Sequence, residues 1–367
     1  MPVEQILSNA RVVTAEREFL GTLVLRDGLI AEVAEGVSGL SQAIDLGGDY
    51  LLPGLVELHT DNLEKYMSPR PGVDWPSASA VLTHDAQIVS AGITTVFDAL
   101  AIGDVNPRGK RMQQLPAMLE AIAEAAAAGH MRADHHLHLR CELCHPDTLT
   151  VFRDLVEHPL VQLVSVMDHS PGQRQFAKEE KYREYYIGKY HLSEAEMDAF
   201  IQEQVANSIE YSDRYRRAIV EDCHSRGLSL ASHDDATLAH VQESAGFDMS
   251  IAEFPTTLEA AKASHGLGLK VLMGAPNIVR GGSHSGNVAA AELARHGVLD
   301  ILSSDYYPAS LLQAALLLAE QDNGYDLPQA IASISRIRRP TRISPRSSSP
   351  AARAGIRLMP AIACGKS

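Results

Sequence analysis

Leu51-Leu52-Pro53-Gly54-Leu55-Val56-Glu57-Leu58-His59-Thr60-Asp61 is the stretch whose reading decides the fold. Its apolar run predicts a buried β-strand, and the strand ends in His-x-Asp. Side chains alternate along a strand, so His59 and Asp61 leave on the same side. A histidine and a carboxylate together at a strand's carboxyl end can hold a metal ion. One such pair is a weak signal alone. It gains weight because further ligand-type residues stand at the ends of later strands.

Working outward, eight short strands are predicted at 55–61, 93–99, 134–142, 161–169, 228–234, 249–254, 269–276 and 300–305. Most of the intervals between them read as helix. The stretch 113–128 is rich in Ala and Leu, and 193–226 carries one or two more helices. Strands alternating with helices in this number predict an α/β fold, a (β/α)8 barrel. Such barrels build their sites at the carboxyl ends of the strands, where the polar residues of this chain cluster. The segment 173–191 is rich in Arg, Lys, Glu and Tyr. It is longer than an ordinary barrel loop and reads as a lid.

Residues 1–50 read as short strands, with Asp27-Gly28 as a hairpin turn between two of them. A small β domain is expected there, followed by the barrel over 51–325. The stretch 326–367 is an atypical basic tail: no acidic residue follows Asp326, and 336–357 is dense in Arg, Ser, Pro and Ile. It reads as a disordered tail, or as the product of a shifted reading frame.

Composition narrows the function. The chain has 367 residues, 45% hydrophobic and 21% charged, ordinary values for a soluble globular protein. There is no apolar run of roughly 18 residues, so no membrane span is expected. No basic stretch followed by an apolar core opens the chain, so no signal peptide is expected. Four cysteines make no disulfide framework, and a cytoplasmic location follows. A net charge of −14 argues against nucleic-acid or anionic-membrane partners. A small anionic substrate would then depend on local cations or metals. A homo-oligomer is compatible with the chain, though nothing in the sequence reads on it.

Each strand end adds candidates. His136, His138, Arg140 and Glu142 share one face of the third strand, with Glu142 nearest the end. The fourth strand ends in Asp168-His169, the fifth in His233-Asp234-Asp235, and the eighth in Ser303-Ser304-Asp305. These residue types suit zinc or another first-row divalent ion. A carboxylate at Glu142 suits a bridge between two ions, and Asp305 suits acceptance of a proton from an activated water. His136 and His138 lie deeper and read as hydrogen-bonded packing. Cys141-x-x-Cys144 lacks the second pair of a zinc ribbon and reads as core filling. The segments 68–73 and 274–287 combine Gly, hydroxyls and Arg, a composition that suits phosphate.

These residues carry a family likeness. LPGLVELHTDNLE (52–64), PRPGVDWP (69–76), His84-Asp85, AGITTVFDALAIG (91–103), HLHLRCE (136–142), MDHSPGQRQF (167–176), SHDDAT (232–237), AEFPT (252–256), GAPNIVRGGSHSGNV (274–288) and SDY (304–306) run in order along the chain. The chain resembles the amidohydrolase superfamily, and within it the PhnM family of phosphonate catabolism. The resemblance implies a small β-sandwich domain beside the barrel, built from the N-terminal and normally the C-terminal segments. It implies cleavage of α-D-ribose 1-methylphosphonate 5-triphosphate to the 5-phosphate and pyrophosphate, ahead of the carbon–phosphorus lyase step. It implies His59, Asp61, Glu142, His169 and His233 as ligands of one or two divalent ions, with zinc preferred, and Asp305 as general base. Arg70, Arg280 and His284 are the candidates for phosphate contact. Tyr66 stands where the family pattern leads one to expect histidine. The competing readings are an amidohydrolase acting on a C–N bond, as a deaminase or cyclic amidase does, and a barrel without catalysis. Asp61 leans against the first of these, because such enzymes commonly begin with His-x-His.

Overall fold

The computed structural model describes residues 4–104, 109–174, 179–190, 192–283, 286–320 and 323–336. Five strands come first: β1 (Glu4–Val13), β2 (Glu18–Arg26), β3 (Leu29–Glu35), β4 (Ile44–Asp45) and β5 (Tyr50–Leu51). They form one sheet in the order β3-β2-β1-β4, with β5 also pairing β1. Arg26 faces Leu29 across the turn, so Asp27-Gly28 is a two-residue loop. Both turn residues have positive φ, 51° and 80°, the backbone that matches strand twist in a tight hairpin. Leu7, Ala10, Val12, Leu23 and Leu51 form this sheet's own core.

Eight further strands follow: β6 (Leu55–Thr60), β7 (Ile93–Ile102), β8 (Asp134–Glu142), β9 (Val161–Met167), β10 (Ser229–His233), β11 (Ile251–Glu253), β12 (Lys270–Gly274) and β13 (Ile301–Ser303). They pair in chain order as one parallel sheet, and each predicted segment has its strand. The predicted helix at 113–128 is Arg111–Ala127. In the expected lid, Glu179–Tyr190 is helical, while 175–178 and 191 lie outside the described residues. None of the described helices is long and apolar enough to cross a membrane.

Alternation along β8 sorts its residues between two environments. Leu137, Leu139 and Cys141 join the apolar layer under the helices. His138 turns the other way, into the barrel, against Leu58 and Ser165. Apolar residues buried between strands and helices supply most of the stabilisation.

Side chains close the barrel between its first and last strands. Thr60 bridges Asp305, and its hydroxyl donates to the Asp305 carbonyl at 2.6 Å. Burial pushes the Glu57 carboxyl up to about 7. Glu57 accepts the Ser304 backbone N–H at 2.5 Å and lies 2.7 Å from the Ser303 hydroxyl. That hydroxyl is also 2.6 Å from the His59 carbonyl. One hydroxyl proton can serve only one of the two acceptors, and a protonated Glu57 provides the other.

The chain beyond Asp326 begins with order. Asp326 and Gln329 form a capping box for the helix Leu327–Ser335, and Ala330, Ile331 and Ile334 pack into the barrel's apolar layer. Residues 337–367, which hold most of the basic tail read from the sequence, lie outside the described residues.

A buried ionic chain ties helix Ser77–Ser90 to β7 and β8. His84 and His135 each approach Asp98 at 2.7 Å, and His135 stands 3.4 Å from Asp85. Asp85 also accepts the backbone N–H groups of Arg132 and Ala133, fixing the entry to β8. Burial alone would lower the His135 pKa, but Asp98 and Asp85 outweigh it and hold it at about 9. Burial opposes ionisation of Asp98 too, and the two histidines overcome it and keep the carboxyl low. A raised histidine stabilises fully below its unfolded value of about 6.5, and that share is lost as pH rises through about 9. A depressed carboxylate contributes above its unfolded pKa and is lost as pH falls. His135→Gln should therefore cost about 3 kcal/mol near pH 6, and clearly less near pH 10. Denaturant unfolding at the two pH values checks this, and an equal cost at both would refute the charged state assigned here.

Candidate metal and catalytic site

The carboxyl ends of the barrel strands converge on one polar cluster. Glu253, the last residue of β11, lies fully buried and reaches two histidines. Its Oε1 is 3.0 Å from His59 Nδ1 and its Oε2 is 3.3 Å from His233 Nδ1. Burial would raise the Glu253 pKa, but the histidines hold it well below the usual carboxylate range. An ionised carboxylate only accepts, so both rings carry their proton on Nδ1 and present Nε2 as a lone pair. The two rings stack with centroids 5.8 Å apart. Phe254 abuts both rings edge-on.

Beside them lies His169. Glu142 Oε2 is 2.5 Å from His169 Nδ1, and Glu142 Oε1 accepts the His169 backbone N–H at 3.0 Å. The Cys144 thiol also donates to Glu142 Oε1, at 3.2 Å. Asp234 Oδ2 stands 3.5 Å from His169 Nε2 and 3.6 Å from His233 Nε2. Burial disfavours the charged imidazole, yet Glu142 and Asp234 lift His169 to about 10. The site thus concentrates negative potential that a bound cation would neutralise. His169, His233 and Asp234 each offer one ligand atom, all within 4.8 Å of one another. Imidazole and carboxylate donors of this kind fit a divalent transition metal.

Asp305 completes the cluster from the seam. Burial, and next the charge of Asp61, push its carboxyl up to about 7. Asp234, Phe254 and Asp305 have φ of 56°, 52° and 55°, a left-handed backbone rare outside glycine. Such conformations recur at functional strand ends, where the fold holds them against their cost.

The structure brings together His59, Asp61, Glu142, His169, His233 and Asp305 from the sequence reading. Two other candidates, Arg70 and Arg280, are not in the cluster. Arg70 is exposed in a recess with Tyr66, Pro69, Val73 and Trp75. Arg280 is exposed at the end of the short helix Ala275–Val279. His284 lies outside the described residues. His138 has both ring nitrogens engaged, Nδ1 on the Leu58 carbonyl at 3.0 Å and Nε2 on the Ser165 hydroxyl at 2.9 Å. It packs beneath the cluster as expected. Cys141 belongs to the apolar layer, as expected, whereas Cys144 turns to the polar side and donates to Glu142.

Sequence reasoning missed Glu253, although AEFPT was in view. It ends a three-residue strand, and no neighbouring ligand motif marks it. Arg174 was also missed. It is buried and ties Asp235, in the loop after β10, to Glu243 of the helix Leu238–Gly246.

No family model matches the chain. It is 56% identical over 332 residues to the α-D-ribose 1-methylphosphonate 5-triphosphate diphosphatase of Escherichia coli (strain K12), covering 90% of this chain and 88% of that one. Among solved structures it superposes on an amidohydrolase with TM-score 0.56 at 14% identity, over 90% of this chain and 85% of that one. N-acetyl-D-glucosamine-6-phosphate deacetylase from Mycobacterium smegmatis gives 0.54 at 14%, over 90% and 88%. Dihydropyrimidinase from Brevibacillus agri NCHU1002 gives 0.51 at 12%, over 91% and 80%. At these identities the structures speak for the fold alone.

Glu253→Gln should loosen both rings and lower divalent-metal affinity by about 10- to 100-fold with the fold kept. Competition with a chelator measures it, and unchanged affinity would remove Glu253 from this role.

Proposed function

Because the chain belongs to the α-D-ribose 1-methylphosphonate 5-triphosphate diphosphatase family of amidohydrolases, we propose that it hydrolyses that triphosphate to the 5-phosphate and pyrophosphate in phosphonate catabolism. The observation that carries this reading is 56% identity spanning 90% of the chain. The reading assigns one or two divalent ions, with zinc the first choice, to His59, Asp61, Glu142, His169 and His233. The ion, when bound, would acidify a water and offset charge on the phosphoryl oxygens.

The other steps fall to the chain's own groups. Water's oxygen bonds to phosphorus, and the anhydride bond between the first and second phosphates breaks. Pyrophosphate departs with the bonding electrons, and the water's proton passes to a carboxylate. Asp305 is the acceptor in this reading. Its burial beside Asp61 lets it hold a proton near neutral pH. Glu253 keeps His59 and His233 in one tautomer throughout. Arg70, Arg280 and His284 remain candidates for the outer phosphates. A cytoplasmic setting suits the free cysteines Cys141, Cys144 and Cys223.

Pyrophosphate release from the triphosphate, with metal content measured on the same preparation, tests the reading. Asp305→Asn should lower kcat by about 10²- to 10⁴-fold while metal is retained. A folded, metal-loaded protein that releases no pyrophosphate would turn the assignment toward C–N bond hydrolysis.

A further inference from the structure

The polyphosphate chain of such a substrate is strongly anionic, and this protein carries a net charge of −14. The mouth of the barrel is itself lined by carboxylates. An anion entering there needs an inner cation besides any metal. Arg111 is paired with Glu64 at 2.8 Å, and Arg174 is paired with Asp235 and Glu243. Their charge is already matched by protein groups.

Arg140 differs. It sits on β8 between His138 and Glu142, on the face that turns into the barrel. It is half-buried, and its buried Nε meets no hydrogen-bond partner among the described residues. Among the described residues its side chain makes no ion pair. Its charge favours the ionised forms of Asp234 and Asp305 and disfavours the protonated form of His59, so it acts electrostatically on the same cluster. A buried guanidinium N–H with no acceptor is costly, and arginine's forked donors match phosphate oxygens.

We propose that Arg140 is the inner phosphate-binding residue of the site, its guanidinium donating to the phosphoryl oxygens beside the bond that breaks. This rests on the diphosphatase reading for its substrate, but the ligand chemistry, a polyphosphate, can be tested without turnover. The exposed Arg70 and Arg280 then serve at most the outer end of the chain.

The test uses the metal-loaded protein with inorganic tripolyphosphate as the probe, followed by calorimetry. Arg140→Met should weaken tripolyphosphate binding by about 10- to 100-fold and raise KM for the triphosphate substrate by a similar factor, with metal content unchanged. Arg140→Lys keeps the charge and the stem but loses the fork, and should fall between the two. Wild-type tripolyphosphate affinity in Arg140→Met overturns the proposal, as does a drop in kcat alone with KM intact. If Arg140→Met does not fold, Arg140→Lys decides: weakened binding supports the proposal, and full affinity overturns it. Absence of tripolyphosphate binding by the wild type overturns it as well. Arg140-dependent binding without pyrophosphate release would leave the phosphate site standing and remove the diphosphatase reading.

Discussion

Glu253 is fully buried, keeps its charge because histidines surround it, and reaches two of their rings at once. A buried carboxylate without partners would be protonated or would destabilise the fold. The partners it takes are His59 from β6 and His233 from β10, strands that do not neighbour each other. One charge therefore sets the tautomer of both rings and their spacing. His138 beneath and Phe254 beside them remove the remaining freedom. The site's geometry is a consequence of burying this one group.

The cluster is organised in two tiers. The lower tier is packing and anchoring, with His138 itself uncharged, pushed down to about 3 by burial. The upper tier is crowded with carboxylates, where His169 rises to about 10 and Asp305 to about 7. Opposite shifts for like residues in one barrel come from depth and neighbours, not residue type. A second charged group, around His135 and Asp98, lies outside the barrel wall and ties a helix to β7 and β8. It shows that buried His–Asp contacts here serve architecture as well as chemistry.

Much of the fold was legible because apolar runs alternate with helical stretches and end in polar residues. His59-Thr60-Asp61 was legible because a two-residue period puts both side chains on one face. The same period placed Arg140 with Glu142, but nothing local told that Arg140 lacks a carboxylate partner among the described residues. Glu253 hid because its strand is three residues long and its partners lie 194 and 20 residues away. Arg70 and Arg280 were drawn in by loop composition, and loops have no periodicity that gives side-chain direction. The helix at Leu327–Ser335 is signalled by Asp326 and Gln329, but the basic composition beyond it put the whole of 326–367 in the tail.

The seam has a bearing on how the chain is born. Thr60 and Asp305 are 245 positions apart, and so much polypeptide must leave the ribosome before they can meet. At about 5–20 residues per second, β6 waits roughly ten to fifty seconds for β13. During that wait its apolar edge and the His59 carbonyl are open to other partners. Nascent-chain contacts during synthesis are thus a hazard written into a barrel whose first and last strands close its site.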